Sequence, residues 1–267
     1  MSGSSAAPGA RLLDLVATMD RLRSPGGCPW DREQTHASLA PYLLEEAYEA
    51  VEAIETGEIG ELPGELGDVL LQVVFHSRVA QERDDGTGFT IDDVAGAIVD
   101  KLVRRHPHVF ADVEVSGADE VKTNWDAIKA AERAGDDGSE ASVVHGVPLG
   151  QPALSLAQAL QKRATRAGLP DDLLASPRSG LSTSEERSAD ATEAGGQSSE
   201  ASIGAELFAL VARARAQGVD PEAALRHVSR TFRDQVLAVE ASVRAAGGDL
   251  SSLPAEDWRE RWLLSER

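Results

Sequence analysis

The stretch that decides the fold is "YLLEEAYEAVE", residues 42–52, together with "GELGDVLLQVVFHSRVA", residues 64–80. The first segment sets Glu45, Glu46, Glu49 and Glu52 among leucines, alanines and tyrosines. At about 100° per residue the glutamates cluster on one side of a helix, while Leu44, Ala47, Tyr48, Ala50, Val51 and Ile54 fill the opposite arc. One face is acidic and the other apolar. Taken alone, such a face is a solvated surface.

The second segment changes that reading. Val69, Leu70, Leu71, Val73, Val74, Phe75 and Val79 leave it little purely polar face, and a helix apolar on every side is expected to be buried. Glu65 and Asp68, one turn apart, would then sit at the edge of a core, where an unpaired carboxylate costs several kcal/mol or neutralises. The connection "TGEIGELPG", residues 56–64, is short enough to make the two helices antiparallel neighbours. The pair Glu46 and Glu49 can then face the pair Glu65 and Asp68. Four carboxylates in one pocket repel unless a cation joins them, and an all-oxygen set without His or Cys favours Mg²⁺ or Mn²⁺ over zinc or copper. Spacing leaves both readings open, a metal pocket and a solvated face.

Around this pair the chain reads as an all-α protein. "RLLDLVATMDRLR", residues 11–23, is amphipathic, and "SPGGCPWD", residues 24–31, is expected to be a loop. Further helices are expected at about 39–55, 65–82, 91–105 and 118–133, and no segment alternates like a strand. A second helical region starts near residue 154, with helices expected at about 204–217 and 221–246 completing the chain. Between them, residues 171–203 hold eight serines, seven acidic and two basic side chains and no aromatic residue, a composition expected to be disordered.

Composition narrows the function. The 267 residues carry a formal charge of −19, which opposes binding to nucleic acid or an anionic membrane. No apolar run spans a bilayer and no signal peptide opens the chain, so the expected compartment is the cytoplasm. The single cysteine, Cys28, excludes an internal disulfide, and a structural role is expected for it. Glu33 and His36 form an E-x-x-H pair without the second copy a di-iron bundle requires, and there is no P-loop. His106 and His108 flank a proline at a helix end and are read as capping or loop-fixing residues, and Trp30 as a packing residue.

"GCPWDREQTHASLAPYLLEEAYEAVEAI", "GELGDVLLQVVFHSRVA", "KLVRRHPHVF" and "NWDAIKAAER" together resemble the MazG nucleoside triphosphate pyrophosphohydrolases over about residues 11–133. The family's metal signature, E-E-x-x-E followed by E-x-x-D, stands here as Glu45, Glu46, Glu49, Glu65 and Asp68. The resemblance implies a helical, usually dimeric enzyme that uses Mg²⁺ to split nucleoside triphosphates into monophosphate and pyrophosphate. It implies Glu46, Glu49, Glu65 and Asp68 as metal ligands, and Lys101, Arg105, Trp125 and Lys129 as contacts to the nucleotide. Glu45, beside the ligands, is a candidate to bind a second ion or take a proton from water, and equally a plain surface glutamate. The alternative is a regulatory module that binds nucleotide and metal without turnover.

The chain also matches itself. A shift of 137 places "GDVLLQVV" (67–74) over "GAELFALV" (204–211), pairing Gly67 with Gly204, Leu70 with Leu207 and Val74 with Val211. In that register Glu65 falls on Ser202 and Asp68 on Ala205, and a smaller shift sets Lys101 on Thr231 and Arg105 on Gln235. The expected organisation is a catalytic domain at 11–133, a linker at 134–152 and a degenerate helical half at 153–267.

Overall fold

The computed structural model describes residues 7–135, 142–175 and 194–265. They are helical throughout, with no strand among the described residues, as the missing alternation predicts. The chain divides into two compact units, Met1–Asp136 and Asp137–Arg267.

The first unit runs α1 (Ala10–Arg23), α2 (Pro29–Glu33), α3 (His36–Thr56), α4 (Leu62–Gln81), α5 (Ile91–Arg105), α6 (Pro107–Phe110) and α7 (Ala118–Gly135). Local chemistry sets the boundaries. Thr35 and Ser38 close a reciprocal capping box at the start of α3, and Gly57 ends that helix at φ 80°, a conformation glycine adopts without a Cβ clash. A second box, Thr90 with Asp93, opens α5. The helix is closed by His106, whose Nδ1 lies 2.7 Å from the Leu102 carbonyl, the capping role expected of that histidine. The loop expected at 24–31 contains the start of α2, where Pro29 supplies a pre-set φ for the first turn.

α3 and α4 form the most extensive helix pair in the chain, and α1 packs across α4. Met19 of α1, Leu39 of α3 and Val74 and Phe75 of α4 make the core, with Leu15, Val16, Leu22, Leu71, Val79 and Ile91 against it. Each such side chain contributes about 1.5–3 kcal/mol by leaving water. Arg23 locks α1 down. Its side chain is 3% exposed, forks onto Glu82 at 2.8 and 2.6 Å, and donates to the Asp31 and Gln34 carbonyls. His36 and His76 stack 5.1 Å apart with Nδ1 atoms at 2.7 Å, joining the start of α3 to α4. Trp30 meets Tyr42 and Phe75 edge-on at 6.2 and 6.5 Å, in keeping with a packing role.

The expectation that α4 is buried on every side holds for only half of it. Gln72, Val74, Phe75, Ser77 and Ala80 are buried, whereas Leu66 and Leu70 in the first turns are exposed. The apolar arc of α3 behaves alike, with Ala50 and Ala53 buried and Leu44, Tyr48 and Ile54 exposed. The buried positions on this arc are small alanines, and the large side chains are left outside.

The second unit runs α8 (Ala153–Arg166), α9 (Asp171–Ala175), α10 (Ala194–Ala216), α11 (Pro221–Ala245), a 3₁₀ turn (Leu250–Ser252) and α12 (Ala255–Ser265). Two expectations are corrected. The serine-rich segment is helical at both ends, in α9 and the start of α10, while residues 176–193, including Glu185 and Glu186, lie outside the described residues. The chain does not end its helices near residue 246, because α12 follows and packs on α11. Gln161 is the polar lock here, buried and donating to the Phe208 carbonyl at 2.8 Å while accepting from Arg215 at 3.3 Å.

Candidate metal and nucleotide site

The antiparallel packing of α3 on α4 brings Glu46, Glu49 and Glu65 together. Each can offer a carboxylate oxygen within 4.8 Å of the others. Oxygens bound to one hard cation at about 2.1–2.5 Å lie about 3–5 Å apart, so the three fit a shared ion after small rotamer changes. Glu46 and Glu65 are half-buried and Glu49 is exposed.

The electrostatics point the same way. Partial burial raises the Glu46 carboxyl above its ordinary value, and the charges of Asp68, Glu49 and Glu45 raise it further. Glu65 is raised first by burial, then by Glu49, Asp68 and Glu61. Groups that resist ionisation because their neighbours are anions are relieved by a cation placed among them. Asp68 lies one turn beyond Glu65 and is exposed, and its charge is felt by both half-buried glutamates. Glu45 is exposed at the flank and acts on Glu46 through its charge.

The remaining candidates gather on α5 and α7, which are in contact. Lys129 holds its ammonium 4.0 Å from the centroid of the Trp125 ring, the arrangement anticipated from their spacing of one turn. The His106 ring lies 6.2 Å from Trp125, and His108 5.6 Å from His106. Lys101 is exposed on α5, one turn before Arg105. Arg105 is engaged by a residue that sequence reading did not single out, Glu132 of α7, at 2.6 Å. Arg104 reaches the same carboxylate at 2.7 Å. These arginines hold the Glu132 carboxyl down to about 2. The available signal was weak, since Glu132 stands one turn past Lys129 but nothing in the sequence tells which helix α7 will face.

The fold and the cluster define a class, an all-α protein with an oxygen-only carboxylate site suited to a hard cation and a cationic-aromatic group on neighbouring helices. Comparison with known proteins makes this specific. Residues 34–110 match the MazG nucleotide pyrophosphohydrolase domain. The chain is 41% identical over 250 residues to the nucleoside triphosphate pyrophosphohydrolase/pyrophosphatase MazG of Thermotoga maritima, covering 93% of each chain. It is 39% identical over 260 residues to the nucleoside triphosphate pyrophosphohydrolase of Escherichia coli K12, covering 95% of this chain and 96% of that one. A 26.1 kDa protein encoded in the blaB 3′ region of Streptomyces cacaoi is 45% identical over 240 residues, covering 90% of this chain and 87% of that one. The chain belongs to the MazG family.

Proposed function

We propose that this chain is a metal-dependent nucleoside triphosphate pyrophosphohydrolase, releasing nucleoside monophosphate and pyrophosphate. The observation that carries the proposal is the convergence of Glu46, Glu49 and Glu65 from two helices to within 4.8 Å, in a chain whose relatives carry that activity in their names. Glu46, Glu49, Glu65 and Asp68 would hold the cation, and Mg²⁺ suits the hard oxygen set, with Mn²⁺ as a substitute. When bound, the ion neutralises phosphate oxygens and lowers the pKa of a coordinated water.

The chain's own residues supply the rest. Lys101 and Arg105 contact the triphosphate, offsetting the charge that a protein of −19 would otherwise turn against it. Trp125 offers its ring to the base while Lys129, stacked on it, adds a cation near the nucleotide. Glu45, exposed beside the cluster, would accept the proton that the attacking water loses as its oxygen joins phosphorus and the α–β anhydride opens. Water adds across the α–β anhydride, and no covalent enzyme intermediate is needed.

The same reading extends to organisation. We infer a cytoplasmic protein that pairs as a homodimer, the pairing supported by large apolar side chains left exposed on α3, α4 and α5, among them Leu44, Tyr48, Leu66, Ile98 and Leu102. No helix among the described residues is long and apolar enough to cross a membrane. Catalysis belongs to residues 11–133, joined by the linker at 134–152 to a degenerate copy at 153–267. Supporting the copy, a 14-residue helix, α8, opens the second unit as α1, also of 14 residues, opens the first. Val211 and Val74, paired by the sequence match, are both buried.

The test is release of pyrophosphate against orthophosphate from a panel of nucleoside triphosphates, with Mg²⁺ and with chelator. Pyrophosphate release that chelator abolishes is the expected result. Tight nucleotide binding without release from any triphosphate would replace the enzyme with a regulatory module.

A further inference from the structure

Arg105 is held along one edge only. Its Nε lies 3.2 Å and its Nη2 2.6 Å from Glu132 Oε2, while the Nε of Arg104 takes Oε1 at 2.7 Å. This fork consumes the Nε–Nη2 edge of a planar guanidinium. Nη1 has no hydrogen-bond partner among the described residues. Two arginines share one carboxylate, so the group keeps a net positive charge. On α7, Trp125, Lys129 and Glu132 are spaced four and three residues apart and fall on one stripe. The side chain of Arg105 is 18% exposed, largely packed but not closed off from solvent.

We propose that Glu132 is a positioning residue for the nucleotide: it grips one edge of the Arg105 guanidinium so that the opposite edge is presented to the substrate phosphates near the Trp125–Lys129 pair. This rests on the reading of Arg105 as a phosphate contact. An unheld arginine loses rotamer freedom when it binds phosphate, whereas one already gripped by a carboxylate has lost it in the free protein. The hold survives any working pH, because the two guanidiniums keep Glu132 ionised.

The experiment measures, on the full chain with Mg²⁺, the Kd of a non-hydrolysable triphosphate analogue together with KM and kcat for Glu132→Gln, Arg105→Ala and the double variant. Glu132→Gln is expected to raise Kd and KM about tenfold with kcat changed less than about threefold, and to add nothing in the Arg105→Ala background. Arg104→Gln, which leaves the Arg105 fork in place, should stay within about twofold of the wild type in Kd. Unchanged affinity in Glu132→Gln beside a large loss in Arg105→Ala would reduce Glu132 to a strut between α5 and α7 and overturn the proposal. Tighter binding in Glu132→Gln would also overturn it, by making the carboxylate a competitor of phosphate. If Arg105→Ala binds the analogue as the wild type does, the phosphate reading of Arg105 fails instead. Should Glu132→Gln not fold, Glu132→Asp decides: a loss of about threefold supports the grip, and unchanged affinity refutes it.

Discussion

The two units place the same kind of helix pair to opposite ends. In the first, α5 and α7 meet through charge, with Arg104 and Arg105 on Glu132 and Lys129 over Trp125. In the second, α11 and α12 meet through an aromatic contact, Phe232 against Trp262 at 5.3 Å, and Trp262 stands four residues after Trp258 as Lys129 stands four after Trp125. One unit sets a cation beside a ring at this kind of contact, and the other sets ring against ring. The long helices diverge likewise. α4 carries Glu65 and Asp68 toward the carboxylates of α3, whereas the proposed register of the two halves sets Ser202 and Ala205 of α10 at those positions.

Parallel substitutions can break this contrast. Trp125→Ala is expected to raise KM for a nucleoside triphosphate about tenfold or more, since stacking on a base contributes about 1–3 kcal/mol. Trp262→Ala should leave KM within about twofold and lower only the melting temperature. Equal KM effects from both would place the second unit in the nucleotide site and end the asymmetry.

The polar locks sharpen it on stability. Arg23→Ala removes a buried guanidinium, deprives the Gln34 carbonyl of its donor and leaves Glu82 to Arg78 alone, at a cost of about 3 kcal/mol in urea unfolding. Gln161→Ala, which removes the buried amide that donates to the Phe208 carbonyl and accepts from Arg215, should cost about 1–2 kcal/mol. A reversed order would mean that the second unit is the more tightly built of the two.

A smaller effect separates the units by pH. The carboxyls of Glu46 and Glu65 are raised in the folded chain, so their share of stability is intact below 4.5 and declines as pH climbs through their folded values. A cation relieves that loss, so Mg²⁺ should raise the first unit's melting temperature by about 5 °C at pH 7 and by much less at pH 4.5. Glu132 has the opposite sign: its contribution is full above 4.5 and fades as pH falls toward about 2. His76, lowered by burial and then by His36, gives a stability lost as pH falls below 6.5. Equal shifts with Mg²⁺ at both pH values would mean the ion is not bound by these carboxylates.

Much of this was legible beforehand, and the exceptions have physical causes. The glutamate face of α3 and Glu65 of α4 pointed to the three carboxylates that meet, because helical periodicity fixes which side chains share a face, while Asp68, expected among the ligands, lies outside the group of three. The depth of α4 was misjudged, since periodicity records that a face is apolar and not whether a neighbour within the same chain covers it. α12 was missed because "AEDWRERWLL" is rich in charge, with the half-buried Trp258 and Trp262 one turn apart as its main apolar signal. Glu132 was invisible for a different reason. Its partners lie 27 and 28 residues away on another helix, and such a pairing depends on how α7 docks.

The most direct test of the central claim is steady-state pyrophosphate release, at saturating Mg²⁺, from the full chain carrying Asp68→Ala, beside one carrying Ala205→Ser at the matching position of α10. Turnover should fall by more than about a hundredfold in the first and stay unchanged in the second. Activity that survives Asp68→Ala, or is lost in Ala205→Ser, would contradict the assignment of catalysis to the carboxylates of α3 and α4.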